Sequence, residues 1–107
     1  MENIKDLLKL PTFYWRPKHL QHIAENIVFK QRNVSFLAIN ALFRQQATYQ
    51  IQESELGNGH YIVEDFVQRQ KNDYLRTQSE VLYAVFFFDK FGRIVVTTAY
   101  SENDKDN

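Results

Sequence analysis

Residues 81–100 read VLYAVFFFDKFGRIVVTTAY, the longest apolar run in the chain, and they predict a β-hairpin. β-Branched and aromatic residues fill both arms. Between the arms, Asp89-Lys90-Phe91-Gly92-Arg93 supplies a turn-starting aspartate and a glycine able to take a positive φ. A type I turn with Gly92 as its left-handed residue pairs Asp89 with Arg93, Phe88 with Ile94, Phe86 with Val96, Ala84 with Thr98 and Leu82 with Tyr100. In that register Leu82, Ala84, Phe86, Phe88, Ile94, Val96, Thr98 and Tyr100 share one face, and Tyr83, Val85, Phe87, Val95, Thr97 and Ala99 share the other. Both faces are largely apolar, which predicts central strands with helices on one side and further protein, a partner or a ligand on the other.

Working outward, the hairpin needs helices to cover it, and the first half of the chain supplies them. Pro17 suits the first turn of a helix over 17–31, where Leu20, Ile23, Ala24, Ile27 and Val28 follow the spacing of one buried stripe. Ser35 is a cap for a second helix to about residue 46, with Phe36, Ile39, Leu42 and Phe43 on its apolar face. Residues 3–10 predict a short extra helix ended by Pro11. The aromatic stretch Phe13-Tyr14-Trp15, without interleaved basic residues, is expected to seal one end of the core rather than to stack bases.

From Ala47 the period changes to two, giving a strand ahead of the glycine-bearing loop at 55–59. Residues 60–68 return as a strand with Tyr61, Val63, Asp65 and Val67 on one face and Ile62, Glu64 and Phe66 on the other; a helix over 62–70 is the alternative. Residues 70–80 are polar and fit a loop or a short helix. The order predicts an α+β domain over 1–101, two helices packed on one face of a four-stranded antiparallel meander, with a disordered tail at 102–107.

Composition narrows the function classes. A chain of 107 residues fits one core, and the absence of cysteine removes disulfides, thiolate nucleophiles and cysteine-based zinc sites. No run reaches a membrane-spanning length and the first ten residues lack the apolar core of a signal peptide, so a cytoplasmic protein without membrane contact is expected. Net charge is zero, against a broadly basic nucleic-acid coat; but residues 1–50 carry +4 and residues 51–107 carry −4, so one patch can face phosphates or an acidic partner.

Two groupings carry candidate chemistry. His19 and His22 lie one turn apart on the first helix, placed for acid–base work near neutral pH; a tetrahedral zinc site would need a third ligand and only His60 remains among the histidines, so neither metal nor cofactor is expected. The second grouping is Thr97-Thr98-Ala99-Tyr100. In the derived register Tyr83 and Thr97 share a face that Arg69 or Lys71 can reach if the preceding strand is adjacent, and Thr98 and Tyr100 add hydroxyls. Phosphodiester transfer needs a base, an acid and cations or donors around phosphorus. His19 or His22, Tyr83, Arg69 and Thr97 are of the right types.

Two helices followed by a four-stranded antiparallel sheet resembles the core of the superfamily that groups barnase, EndoU, colicin ribonucleases and RelE-type toxins. Locally, KHLQHIAE at 18–25 is similar to the histidine-bearing first helix of some phage-associated members, and FFFDKFGRIVVTTAY at 86–100 is similar to their closing hairpin. The resemblance implies a small, metal-independent RNA-cleaving domain of bacterial or phage origin, its site between first helix and open sheet face. His22 or His19 would match the helix histidine, and Thr97, Thr98 and Tyr100 the last-strand hydroxyls. The other class is a non-enzymatic protein-binding module, such as an immunity protein, an antitoxin or a phage-encoded inhibitor, using the acidic cluster Glu53, Glu55, Glu64 and Asp65 against a basic partner. A homodimer joined across Tyr83, Val85, Phe87 and Val95 is compatible with either.

Overall fold

The structure is a computed structural model that describes residues 8, 12–30, 32, 34–54, 57, 59–71 and 76–102, with backbone alone at 68–71 and 76–78. It contains α1 (Pro17–Phe29), α2 (Phe36–Arg44), β1 (Gln50–Glu53), β2 (Tyr61–Lys71), β3 (Arg76–Phe88) and β4 (Ile94–Ser101). The strands form one antiparallel sheet in the order β1-β2-β3-β4, as the meander predicts. The helix expected over 3–10 lies outside the described residues apart from Leu8, which is fully buried, and so does the tail beyond Glu102.

Each helix is set by local chemistry. Pro17 occupies the first turn of α1, where a missing N–H costs nothing, and the Arg16 carbonyl accepts from the amides of His19 and Leu20. Ser35 caps α2: its Oγ accepts from the Ala38 N–H at 3.1 Å. Helix α2 buries Ile39, Leu42 and Phe43 against β2 and β3, and the Phe43 ring meets Phe86 edge-on at 5.2 Å. Helix α1 packs on β4, the end strand; of the expected stripe Ile23 is buried and Ile27 packs against the core, with Asn26 buried beside them, while its two ends turn outward. Leu20 is 40% and Val28 66% exposed. A helix at the margin of a sheet turns a different arc inward from one lying across its centre, and periodicity alone does not distinguish the two.

Phe13 forms a parallel bridge to Ile94, with Tyr14 N–H donating to the Ile94 carbonyl at 2.9 Å and Ile94 N–H to the Thr12 carbonyl at 2.7 Å. This contact anchors the chain just before α1. Phe13 stacks on Trp15 and meets Phe43 edge-on, and Trp15 meets Phe36, so this stretch seals the core as expected. The core cluster includes Phe43, Tyr49, Val63, Leu82, Ala84, Phe86, Ile94, Val96 and Ala99.

The described parts of the ambiguous middle segment are strand. β2 runs from Tyr61 to Lys71 and β3 starts at Arg76, longer than sequence periodicity suggests. In the β2–β3 ladder Val63 faces Ala84 and Glu64 faces Tyr83, so alternation gives two faces. Val63 and Val67 are buried on the core side, whereas Phe66 on the outer side is 62% exposed.

The closing hairpin departs from the predicted register away from its turn. Near the turn the predicted pairs Phe88–Ile94 and Phe86–Val96 hold, but Val85 pairs with Thr98, Ala84 with Ala99, Tyr83 with Tyr100 and Leu82 with Ser101. Thr97 is an extra residue on β4, a β-bulge between Val96 and Thr98. Beyond it every side chain of β4 changes face. Ala99 and Ser101 turn into the core, 2% and 0% exposed, while Thr98 and Tyr100 join Tyr83 and Val85 on the outer face. The physical reason is volume: Ala99 and Ser101 fill the core positions opposite Ala84 and Leu82, where the unbulged register would bury Thr98 and the Tyr100 phenol.

Candidate functional site

The outer face of the sheet carries two groupings, one at the Phe87 end of β3 and one at its middle around Tyr83. The first surrounds Phe87. Alternation from the buried Phe86 puts Phe87 on the outer face, and three basic side chains converge on its ring. The Arg16 guanidinium lies 5.1 Å from the ring centroid, the His19 ring 6.4 Å and the His60 ring 5.2 Å. Arg16 and His19 arrive from the first turn of α1, which laps over the margin of β4. His60 arrives from the loop before β2, where both its backbone N–H and its ring Nδ1 sit 3.0 Å from the Gly57 carbonyl. Gly57 has φ 65, which lets the loop fold back to offer that carbonyl.

The proton positions follow. A carbonyl only accepts, so His60 Nδ1 carries a proton and Nε2 is left with its lone pair in the neutral ring. His19 is held below the usual imidazole pKa, first by burial and then by the positive charges of Lys18, Arg16, His22 and His60, so it is neutral at pH 7. His22, one turn on, is exposed and its Nε2 accepts from Asn26 Nδ2 at 3.1 Å within the same helix.

The second grouping is a row across the sheet: Glu64 on β2, Tyr83 on β3, Tyr100 on β4, and Arg32 beyond them. Tyr83 and Tyr100 are cross-strand partners whose rings stack with centroids 5.0 Å apart and planes 17° from parallel. Burial raises both phenol pKa values, with Glu64 adding to each and Arg32 opposing at Tyr100, so both hydroxyls keep their protons. Arg32 donates from Nη1 to Thr98 Oγ1 at 3.1 Å and to the Ala99 carbonyl at 3.3 Å.

The sequence-derived candidates distribute between these groupings. Tyr83, Thr98 and Tyr100 come together. His19 stands in the other grouping, since Phe87 is four residues along β3 from Tyr83, roughly 13 Å at the rise of a strand. Thr97 sits in the bulge with its hydroxyl donating to the Val85 carbonyl at 3.3 Å. Arg69 pairs with Gln78 and Lys71 with Arg76, an odd number of residues from Glu64, so their register positions belong to the opposite face from Tyr83; their side chains lie outside the described residues. Sequence gives no role to Arg16 or Arg32, and raises His60 only as a third metal ligand. Nothing local marks them, because each is brought in by a loop or helix end.

Among the described residues no three His, Asp or Glu side chains gather to hold a metal ion, and no helix is long and apolar enough to cross a membrane. The fold and outer face define an α+β domain with a basic, imidazole-bearing corner. Comparison of the chain with protein-family models, with curated proteins and with solved structures finds no match.

Proposed function

We propose that the protein is a small RNA-cleaving domain whose catalytic groups are His19 and His60, with Arg16 as the phosphate-neutralising cation. The observation that carries this reading is the convergence of these three side chains on Phe87. His19, neutral at pH 7, takes the proton of a ribose 2′-hydroxyl; that oxygen attacks the adjacent phosphorus and forms the 2′,3′-cyclic phosphate. The P–O5′ bond breaks, and the departing 5′-oxygen receives a proton from His60 Nε2 when that ring is protonated. Arg16 offsets the charge developing on the phosphoryl oxygens. His19 rather than His22 is the base, and His60 rather than Tyr83 is the acid, because both rings meet Phe87.

The test is cleavage of a structured RNA pool in excess chelator by the wild type and by His19→Gln, His60→Gln and His22→Gln, each verified as folded. The first two are expected to lose about 10²–10⁴-fold in rate and the third to remain near wild type. No cleavage by folded wild type, or equal loss in all three variants, overturns the assignment.

One observation favours a second reading, a protein-binding module. The exposed Phe66 borders a groove of about 570 Å³, lined also by Gln45, Thr48, Gln50, Glu64 and Val81. An apolar ring beside a carboxylate suits a partner that presents a basic, partly apolar segment. Capture of a basic protein, lost in Phe66→Ser, together with inactivity toward RNA would select it.

A further inference from the structure

Arg32 is a cation at the margin of the outer face that leaves one buried N–H without an acceptor. It follows α1, its backbone N–H donates to the Asn26 carbonyl at 3.2 Å, and Nη1 is committed to Thr98 Oγ1 and the Ala99 carbonyl. Nε is buried and has no hydrogen-bond partner, and among the described residues no carboxylate pairs with the guanidinium. A buried N–H left unmatched costs free energy, and a guanidinium with no carboxylate beside it is drawn to an oxyanion. Because Thr98 Oγ1 accepts from Arg32, its own proton is free to point elsewhere. Tyr100, two residues from Thr98 on the same face and kept protonated by its surroundings, adds a further hydroxyl donor.

We infer that Arg32, Thr98 and Tyr100 form a subsite for a phosphodiester group of single-stranded RNA, with a base lying on the Tyr83–Tyr100 ring pair. This inference rests on the RNA reading of the Phe87 grouping. A carboxylate would satisfy the guanidinium alone, whereas a nucleotide satisfies both the guanidinium and the aromatic pair. Glu64, on the far side of the rings, confines the phosphate to the Arg32 side. The two groupings lie on one face, so one strand can occupy both, and the bulge at Thr97 is what brings Thr98 and Tyr100 to that face. In this scheme Arg32 is a substrate-binding residue remote from the bond that breaks.

The probe is an uncleavable 2′-O-methyl RNA oligonucleotide, followed by fluorescence anisotropy at several salt concentrations. Arg32→Gln is expected to weaken binding about tenfold and to lower the salt slope by about 0.7, the loss of one phosphate contact on a single strand. Arg32→Lys is expected to keep the slope and lose part of the affinity, because an ammonium lacks the fork. Thr98→Val, which leaves Arg32 in place, is the variant to use if Arg32→Gln does not fold, and it is expected to weaken binding severalfold. Wild-type affinity in folded Arg32→Gln or Thr98→Val overturns the subsite, as does tighter binding of a glutamate-rich peptide than of RNA. His19-dependent cleavage with an unchanged KM in Arg32→Gln sinks the subsite and leaves the catalytic reading standing. Arg32-dependent binding without any cleavage does the reverse.

Discussion

Asp89 closes the tip of the hairpin with both carboxylate oxygens: Oδ1 accepts from the amides of Phe91 and Arg93 at 2.9 Å, and Oδ2 from Arg93 Nε at 2.7 Å. Arg93 in turn lies 4.1 Å over the Tyr14 ring, tying the turn to the segment that leads into α1. Gly92 completes the turn at φ 77, where an L side chain is strained. Gly92→Ala is therefore expected to cost about 1 kcal/mol, read as a lower urea midpoint with an unchanged slope. His19 gives a pH dependence of definite sign. Burial and the surrounding positive charges depress its pKa in the folded state below the unfolded value of 6.5, so its contribution is complete above that value. As pH falls from 6.5 toward the folded pKa, the unfolded chain binds the proton first and stability drops. Urea melts at pH 8 and pH 5.5 should show a smaller difference for His19→Gln than for wild type; an identical difference would remove His19 from the account.

At the scale of elements, α2 depends on its cap and β4 on its bulge. Ser35→Ala removes the acceptor for the Ala38 amide and is expected to destabilise by about 1 kcal/mol, measured by chemical denaturation, with little effect on the outer face. The bulge makes a sharper demand. Cross-strand contacts between the Tyr83 and Tyr100 backbones should appear in nuclear Overhauser spectra, and the Leu82–Tyr100 contacts of the unbulged register should not. The Ser35 cap, Pro17 at the start of α1, the turn and the inward face of α2 are legible in the sequence, because each is decided within a few residues. The bulge is not: Thr97-Thr98 has no glycine or proline to mark it, and either threonine serves a regular strand equally well.

For the whole molecule, the core is organised around Phe86, fully buried and in ring contact with Phe43, Tyr61 and Phe88. Phe86→Ala is expected to cost about 3–5 kcal/mol, a large part of the stability of a domain this size, and calorimetry would show it as a marked fall in Tm. Phe87, next in sequence and chemically identical, faces outward under Arg16, His19 and His60. Its replacement by Leu should perturb the site more than the core.

The sequence by itself determined the α+β class, the order of elements and the hairpin tip. Hydrophobic period, capping residues and turn residues act over short separations and need no knowledge of neighbours. Only the tertiary structure decided which polar groups meet. Arg16, His19 and His60 are brought together by a helix that laps over the end strand and a loop that folds back on Gly57. Arg32 reaches Thr98 across most of the chain. One inserted residue in β4 turns Tyr100 from the core side to the outer face, because side-chain direction in a strand reverses with every residue while the hydrophobic pattern, apolar on both sides here, does not report the reversal.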